Sequence, residues 1–60
     1  MDTTNDADYY LRREQQAREM ASRATDPSIA AIHRDLAELY ASIGRAAAHR
    51  ERQALRNRRR

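Results

Sequence analysis

Arginine side chains near the C-terminal end are the residues of this sequence best suited to a chemical role. All 12 basic residues are Arg, and seven of them lie within residues 45–60, where the only acid is Glu51. Helical spacing places four of these arginines and His49 on one face, and guanidinium groups bind phosphate oxygens bidentately. The pattern predicts a salt-sensitive, sequence-independent contact with nucleic acid, or else a solvated basic tail without a partner. The predicted phosphate-binding residues are Arg45, Arg50, Arg52, Arg56, Arg58, Arg59 and Arg60.

The remaining polar residues predict neither a catalytic site nor a metal site. The sequence has no Cys, no Lys nucleophile and no Gly-rich phosphate loop. Its serines, Ser22, Ser28 and Ser42, lie where helix packing or capping explains them. His33 and His49 are not at the spacing of a zinc-binding pair. We therefore expect no enzymatic activity, no cofactor, no bound metal and no small-molecule substrate.

The composition favours long helices as the elements that position these residues. Ala and Arg each supply 12 of the 60 residues, there is one Gly and one Pro, and β-branched and aromatic residues are too few for strands. A chain of this size buries only about 60% of its unfolded surface, so we expect a second copy or a partner to stabilise it. No apolar run suits a signal peptide or a membrane span, which predicts a cytoplasmic location.

A turn at residues 25–28 divides the chain into two helices. Pro27 disfavours a helical residue before it and suits the first helical position, so Asp26 is predicted to cap the second helix. Such a short connection makes the two helices antiparallel neighbours. The first helix is long enough to cover the second only to about Gly44. We therefore predict a disordered lead (1–5), a helical hairpin (6–44) and an Arg-rich extension that is helical or frays (45–60).

The large aliphatic residues form one stripe on the second helix. Five of the seven Leu and Ile residues lie between residues 29 and 43, at alternating spacings of three and four. This is the heptad pattern of a helix that packs against another helix. The facing side of the first helix is narrow and mostly Ala, so hairpin packing leaves apolar surface for a second copy or for a helix of another protein. The predicted interface residues are Tyr10, Met20, Ile29, Ile32, Leu36, Leu39, Tyr40 and Ile43.

Three segments carry a family resemblance. They are an Arg/Glu/Ala-rich helix at residues 10–21, an Ala-Thr-Asp-Pro-Ser turn leading into a helix with His at residues 24–33, and Leu-Ala-Glu-Leu-Tyr at residues 36–40. In these segments the chain resembles a group of short uncharacterised helical proteins of alphaproteobacteria, especially of sphingomonad type. The resemblance covers roughly residues 9–43 and implies the hairpin, but it implies no particular activity.

Together these patterns predict an all-α protein. It is an antiparallel helical hairpin with a basic C-terminal helical extension, and we expect it to dimerise into a four-helix bundle. The first predicted function is that of a small non-enzymatic interaction or adaptor protein, which self-associates or binds a partner helix. The alternative is a nucleic-acid- or ribosome-associated protein that binds phosphates through the Arg-rich extension.

Overall fold

Two helices make up nearly all of the structure. The computed structural model describes residues 6–58, which form α1 (Asp6–Arg23) and α2 (Pro27–Arg58), packed against each other. These residues include no strand, so the predicted all-α hairpin is confirmed. The lead predicted to be disordered, residues 1–5, lies outside the described residues.

The connection between the helices follows the predicted capping pattern. The backbone N–H of Ser28 donates to the Asp26 carboxylate at 2.8 Å, and the N–H of Ala30 donates to the Asp26 carbonyl at 2.9 Å. Asp26 is therefore the N-cap of α2, and Pro27 occupies the first helical position, where its missing N–H costs no hydrogen bond. At the end of α1, the N–H of Ala24 donates to the Met20 carbonyl at 3.0 Å.

Alanine side chains form the contact between α1 and α2. Within residues 6–58, the buried residues are five alanines with exposures between 0% and 8%, and Ala37 is the most completely buried. Because a methyl group projects so little, two Ala-lined helices can approach each other closely. We call this contact the alanine seam; its buried members are Ala17, Ala21, Ala30, Ala37 and Ala47.

Gly44 lies on the seam inside α2, and its own φ is not positive. A Cβ atom added there would lie 3.2 Å from the Cβ of Tyr10 on α1, which is tighter than ordinary van der Waals contact. The glycine is therefore explained by the close approach of α1, and α2 continues past it as a helix.

The contact between the helices extends beyond the predicted hairpin boundary at Gly44. Ala47 is only 1% exposed, and Ala48 lines one groove together with Ala7 and Leu11 of α1. Contact with α1 is therefore present as far along α2 as Ala48. The remainder of α2 is helical to Arg58.

The molecule is one helix thick. The two helices lie side by side, and the principal extents are 52 × 23 × 12 Å. The two described helices therefore form a plate with no second layer on either broad face. Between Asp6 and Arg58, neither helix has a stretch apolar enough and long enough to span a membrane.

Candidate helix-docking surface

The predicted aliphatic stripe lies on the surface of the hairpin. Leu36 is 37% exposed, Ile29 45%, Leu39 53% and Ile32 55%, while Ile43 has intermediate exposure. These residues were expected to pack partly against the first helix, and Leu36 does line a groove with Ala17 and Met20 of α1. We call them the apolar stripe: Ile29, Ile32, Leu36, Leu39 and Ile43.

The rotation of α2 about its axis explains why the stripe is exposed. Ala30 and Ala37 are seven residues apart and face α1, which brings the backbones of the two helices together. Each is one residue beyond a stripe member, so the stripe is turned by roughly 100° away from α1. The large side chains therefore point to one broad face of the plate.

Met20 of α1 extends the apolar stripe across the hairpin. It is 50% exposed and lines a shallow groove with Leu36, His33 and Tyr40 of α2. Met20, a predicted interface residue of α1, thus lies beside predicted interface residues of α2. The buried contact between the two helices is made by other residues, those of the alanine seam. We call Met20 together with the apolar stripe the apolar face.

The three tyrosines gather at the open end of the hairpin. The rings of Tyr9 and Tyr10 meet edge to face with centroids 5.0 Å apart, and the ring of Tyr40 lies 6.3 Å from that of Tyr10. Tyr10 and Tyr40 are half-buried, so these two predicted interface residues contribute to the contact between α1 and α2. They form the edge of the apolar face rather than its centre.

Arg13 completes this aromatic cluster, and the sequence analysis missed it. Its guanidinium carbon lies 5.4 Å from the centroid of the Tyr40 ring, and its Nη2 donates to the Tyr40 hydroxyl at 3.3 Å. This hydrogen bond to Tyr40 raises the pKa of Arg13. The spacing of four residues between Tyr9 and Arg13 on one helix was a usable signal for the cluster.

The two histidines lie apart. His33 is half-buried beside the apolar face, whereas His49 is exposed and its Nε2 lies 3.4 Å from the Nε2 of Gln53. Within residues 6–58 no group of three His, Asp or Glu side chains is placed to hold a metal ion.

The predicted phosphate-binding arginines lie along the C-terminal part of α2. Those between residues 45 and 58 are all exposed, and they keep helical spacing because α2 continues to Arg58. Two others, Arg59 and Arg60, lie outside the described residues. The two ion pairs within residues 6–58 are Arg18–Glu14 at 2.9 Å and Arg23–Glu19 at 3.4 Å, both in α1.

Comparison with protein-family models, with curated proteins and with solved structures finds no match to this chain.

Proposed function

We propose that this chain is a non-enzymatic helical protein that self-associates through its apolar face into a four-helix bundle. The observation that carries the proposal is the reversed distribution of apolar side chains. Alanines are the buried residues of the contact between the helices, while Met20 and four residues of the apolar stripe are at least 37% exposed. Large contiguous apolar surface on a small protein is typical of an interaction site.

The pattern of the apolar stripe favours another helix as the occupant. Its members follow at alternating spacings of three and four residues, which keeps them on one side of a helix and suits knobs-into-holes packing. The plate also has only one layer, and a second plate laid on this face supplies the second layer that a helical domain needs.

The flanks of the stripe favour a second copy of the chain over a charged partner. On α2 the positions flanking it hold small polar, aromatic or Ala residues and His33, and the one carboxylate among them is Asp35. Two identical plates carry identical charges, and on the α2 side of the face Asp35 is the one charge that could oppose its own copy, so like-charge repulsion there is small. The same patch on both subunits then forms a two-fold, self-complementary interface.

The energetics also favour association. Burying the exposed half of a large aliphatic side chain contributes about 1 kcal/mol, and each chain offers five such residues. A buried Ala methyl group contributes about 0.8 kcal/mol. The hydrophobic stabilisation from the alanine seam is therefore no larger than the stabilisation that burial of the apolar face would contribute on association. Folding and association are therefore expected to support each other.

Sedimentation equilibrium at micromolar concentration tests the proposal. The wild-type chain should sediment at about twice its mass of 7.0 kDa. The double variant Ile32→Gln/Leu39→Gln should raise the dimer dissociation constant by roughly 100- to 1,000-fold, since a dimer loses four half-exposed aliphatic side chains.

A matched control is available outside the apolar face. Leu11 is 51% exposed and Leu55 is 59% exposed, so Leu11→Gln/Leu55→Gln removes two similar side chains. This control should leave the dimer intact. A wild-type chain that stays monomeric at about 100 μM while melting cooperatively contradicts the proposal, as does equal weakening by both double variants.

A further inference from the structure

We propose that the part of α2 beyond α1 binds the phosphate backbone of a nucleic-acid duplex. We call this part the basic overhang and define it as residues 49–58, which follow Ala48, a residue that shares a groove with α1. Every residue from Arg52 to Arg58 is exposed. The overhang is therefore a single projecting helix of about 15 Å, at a rise of about 1.5 Å per residue.

Helical geometry aligns the arginines on one side of this projection. Arg52 and Arg56 are one turn apart, and Arg45 precedes Arg52 by two turns on the same face. Along the helix axis these separations are about 6 Å and about 10.5 Å. Arg50 and Arg58 lie on other sides of the helix and can reach neighbouring phosphates.

The arginines of this region are available for an external anion. Both ion pairs within residues 6–58 belong to α1, so none of the five arginines from Arg45 to Arg58 takes part in one. The single acid between them, Glu51, is half-buried, whereas the arginines are exposed. A phosphate therefore does not have to displace an existing carboxylate partner.

The division of charge along the chain directs a polyanion to the overhang. Residues 1–44 contain five Arg and eight acidic residues, a net charge of −3, while residues 45–60 contain seven Arg and one acid, a net charge of +6. The acidic hairpin repels a nucleic acid and the C-terminal part attracts it. Binding is thus expected through one end of the molecule and not through its whole surface.

The residue types favour a duplex over a single strand or a membrane. All three tyrosines lie in the hairpin, so the overhang has no aromatic ring on which unpaired bases stack. Leu55 is its one large apolar side chain, which is too little for an amphipathic helix that inserts into lipid. A bare helix of about 10–12 Å diameter fits the B-form major groove, which is about 12 Å wide.

The expected strength follows from counterion release. About four phosphate contacts per chain give a slope of about −3.6 in a plot of log K against log salt concentration. Affinity should then fall on the order of 100-fold between 50 and 200 mM salt. Because the contacts are made to phosphates, sequences of equal length should bind equally well.

Fluorescence anisotropy of the full chain with a labelled 20-base-pair DNA duplex tests this inference. Arg52→Gln/Arg56→Gln should weaken binding at 50 mM salt at least tenfold and make the slope shallower by about 2. The control Arg12→Gln/Arg34→Gln changes the net charge equally at exposed positions of the hairpin, and it should weaken binding less than about threefold. Circular dichroism verifies that both variants keep their helicity.

Three further probes separate the possible polyanions. An RNA duplex bound as tightly as DNA supports contact along the outer phosphates, and tighter binding to DNA supports insertion into the major groove. Tighter binding to single-stranded oligo(dT), or to vesicles containing phosphatidylserine, overturns the proposal. It is also overturned by absence of binding at 50 mM salt, by binding unaffected by salt, or by equal losses in the two double variants.

Discussion

Replacing Gly44 with Ala measures how closely the two helices approach. In a helix interior, Ala is favoured over Gly by about 1 kcal/mol, so an uncrowded site would be stabilised by that amount. Here the added Cβ would lie 3.2 Å from the Cβ of Tyr10. That atom is attached directly to the backbone of α1 and cannot turn away through a rotamer change. The whole of α1 has to move by a few tenths of an ångström.

The expected net effect is therefore small. Overpacking a close contact costs about 1–3 kcal/mol, and a displacement this slight belongs at the lower end of that range. The gain in helix propensity and the cost of the contact then nearly cancel, which leaves Gly44→Ala within about 0.5 kcal/mol of wild type. Gly44→Val brings two more carbon atoms towards α1 and has a lower helix propensity than Ala, so it should be destabilising by about 2 kcal/mol or more.

Thermal unfolding followed by circular dichroism checks this prediction against a control in the same helix. Ala46 is exposed two residues further along α2, so Ala46→Gly reports the local propensity difference without the contact. It should lower Tm by about 4–8 °C, whereas Gly44→Ala should shift Tm by less than half as much at the same protein concentration. If Gly44→Ala raises Tm by as much as Ala46→Gly lowers it, the close approach of Tyr10 is refuted.

Two other substitutions test the turn and the seam. Asp26→Ala removes the carboxylate that accepts a hydrogen bond at 2.8 Å, and it should lower the free energy of unfolding measured by urea denaturation by about 1 kcal/mol. Asp26→Asn should retain most of the stabilisation from the N-cap. Ala37→Leu enlarges a side chain that is 0% exposed and should cost about 1–3 kcal/mol, whereas Ala31→Leu at an exposed position should cost less than about 0.5 kcal/mol. Equal costs at the two alanines would contradict the packing of the seam.

The hairpin and its turn were predictable because they depend on local rules. Asp26 and Pro27 specify the start of α2 through capping and a fixed φ, whatever the helix packs against. The ion pairs at 14–18 and 19–23 were likewise predictable from their spacing of four residues, and both are present. Such features need no knowledge of the tertiary contact.

The face of α2 that meets α1 was not predictable from the size of its side chains. Ile and Leu are usually expected in the core of a protein. That rule selects the residues of the apolar stripe, which lie at the surface of the hairpin. The Ala-lined side of α2, rather than the apolar stripe, packs against α1 because the facing side of α1 consists mainly of methyl groups. Such a surface allows a close approach only to an equally small one. The signal was present in the spacing of seven residues between Ala30, Ala37 and Gly44, which defines a second heptad beside the first.

The two heptads of α2 have complementary consequences for assembly. Had the large residues filled the contact with α1, the hairpin would have been thicker, with a mostly polar surface and no face for a second layer. Because alanines make that contact, the plate is only 12 Å thick and keeps its large aliphatic residues at the surface. A chain arranged in this way leaves much of its available apolar stabilisation to association. The stability of the fold is therefore expected to depend on protein concentration. Substitutions in the apolar face should lower Tm even though they replace no buried residue.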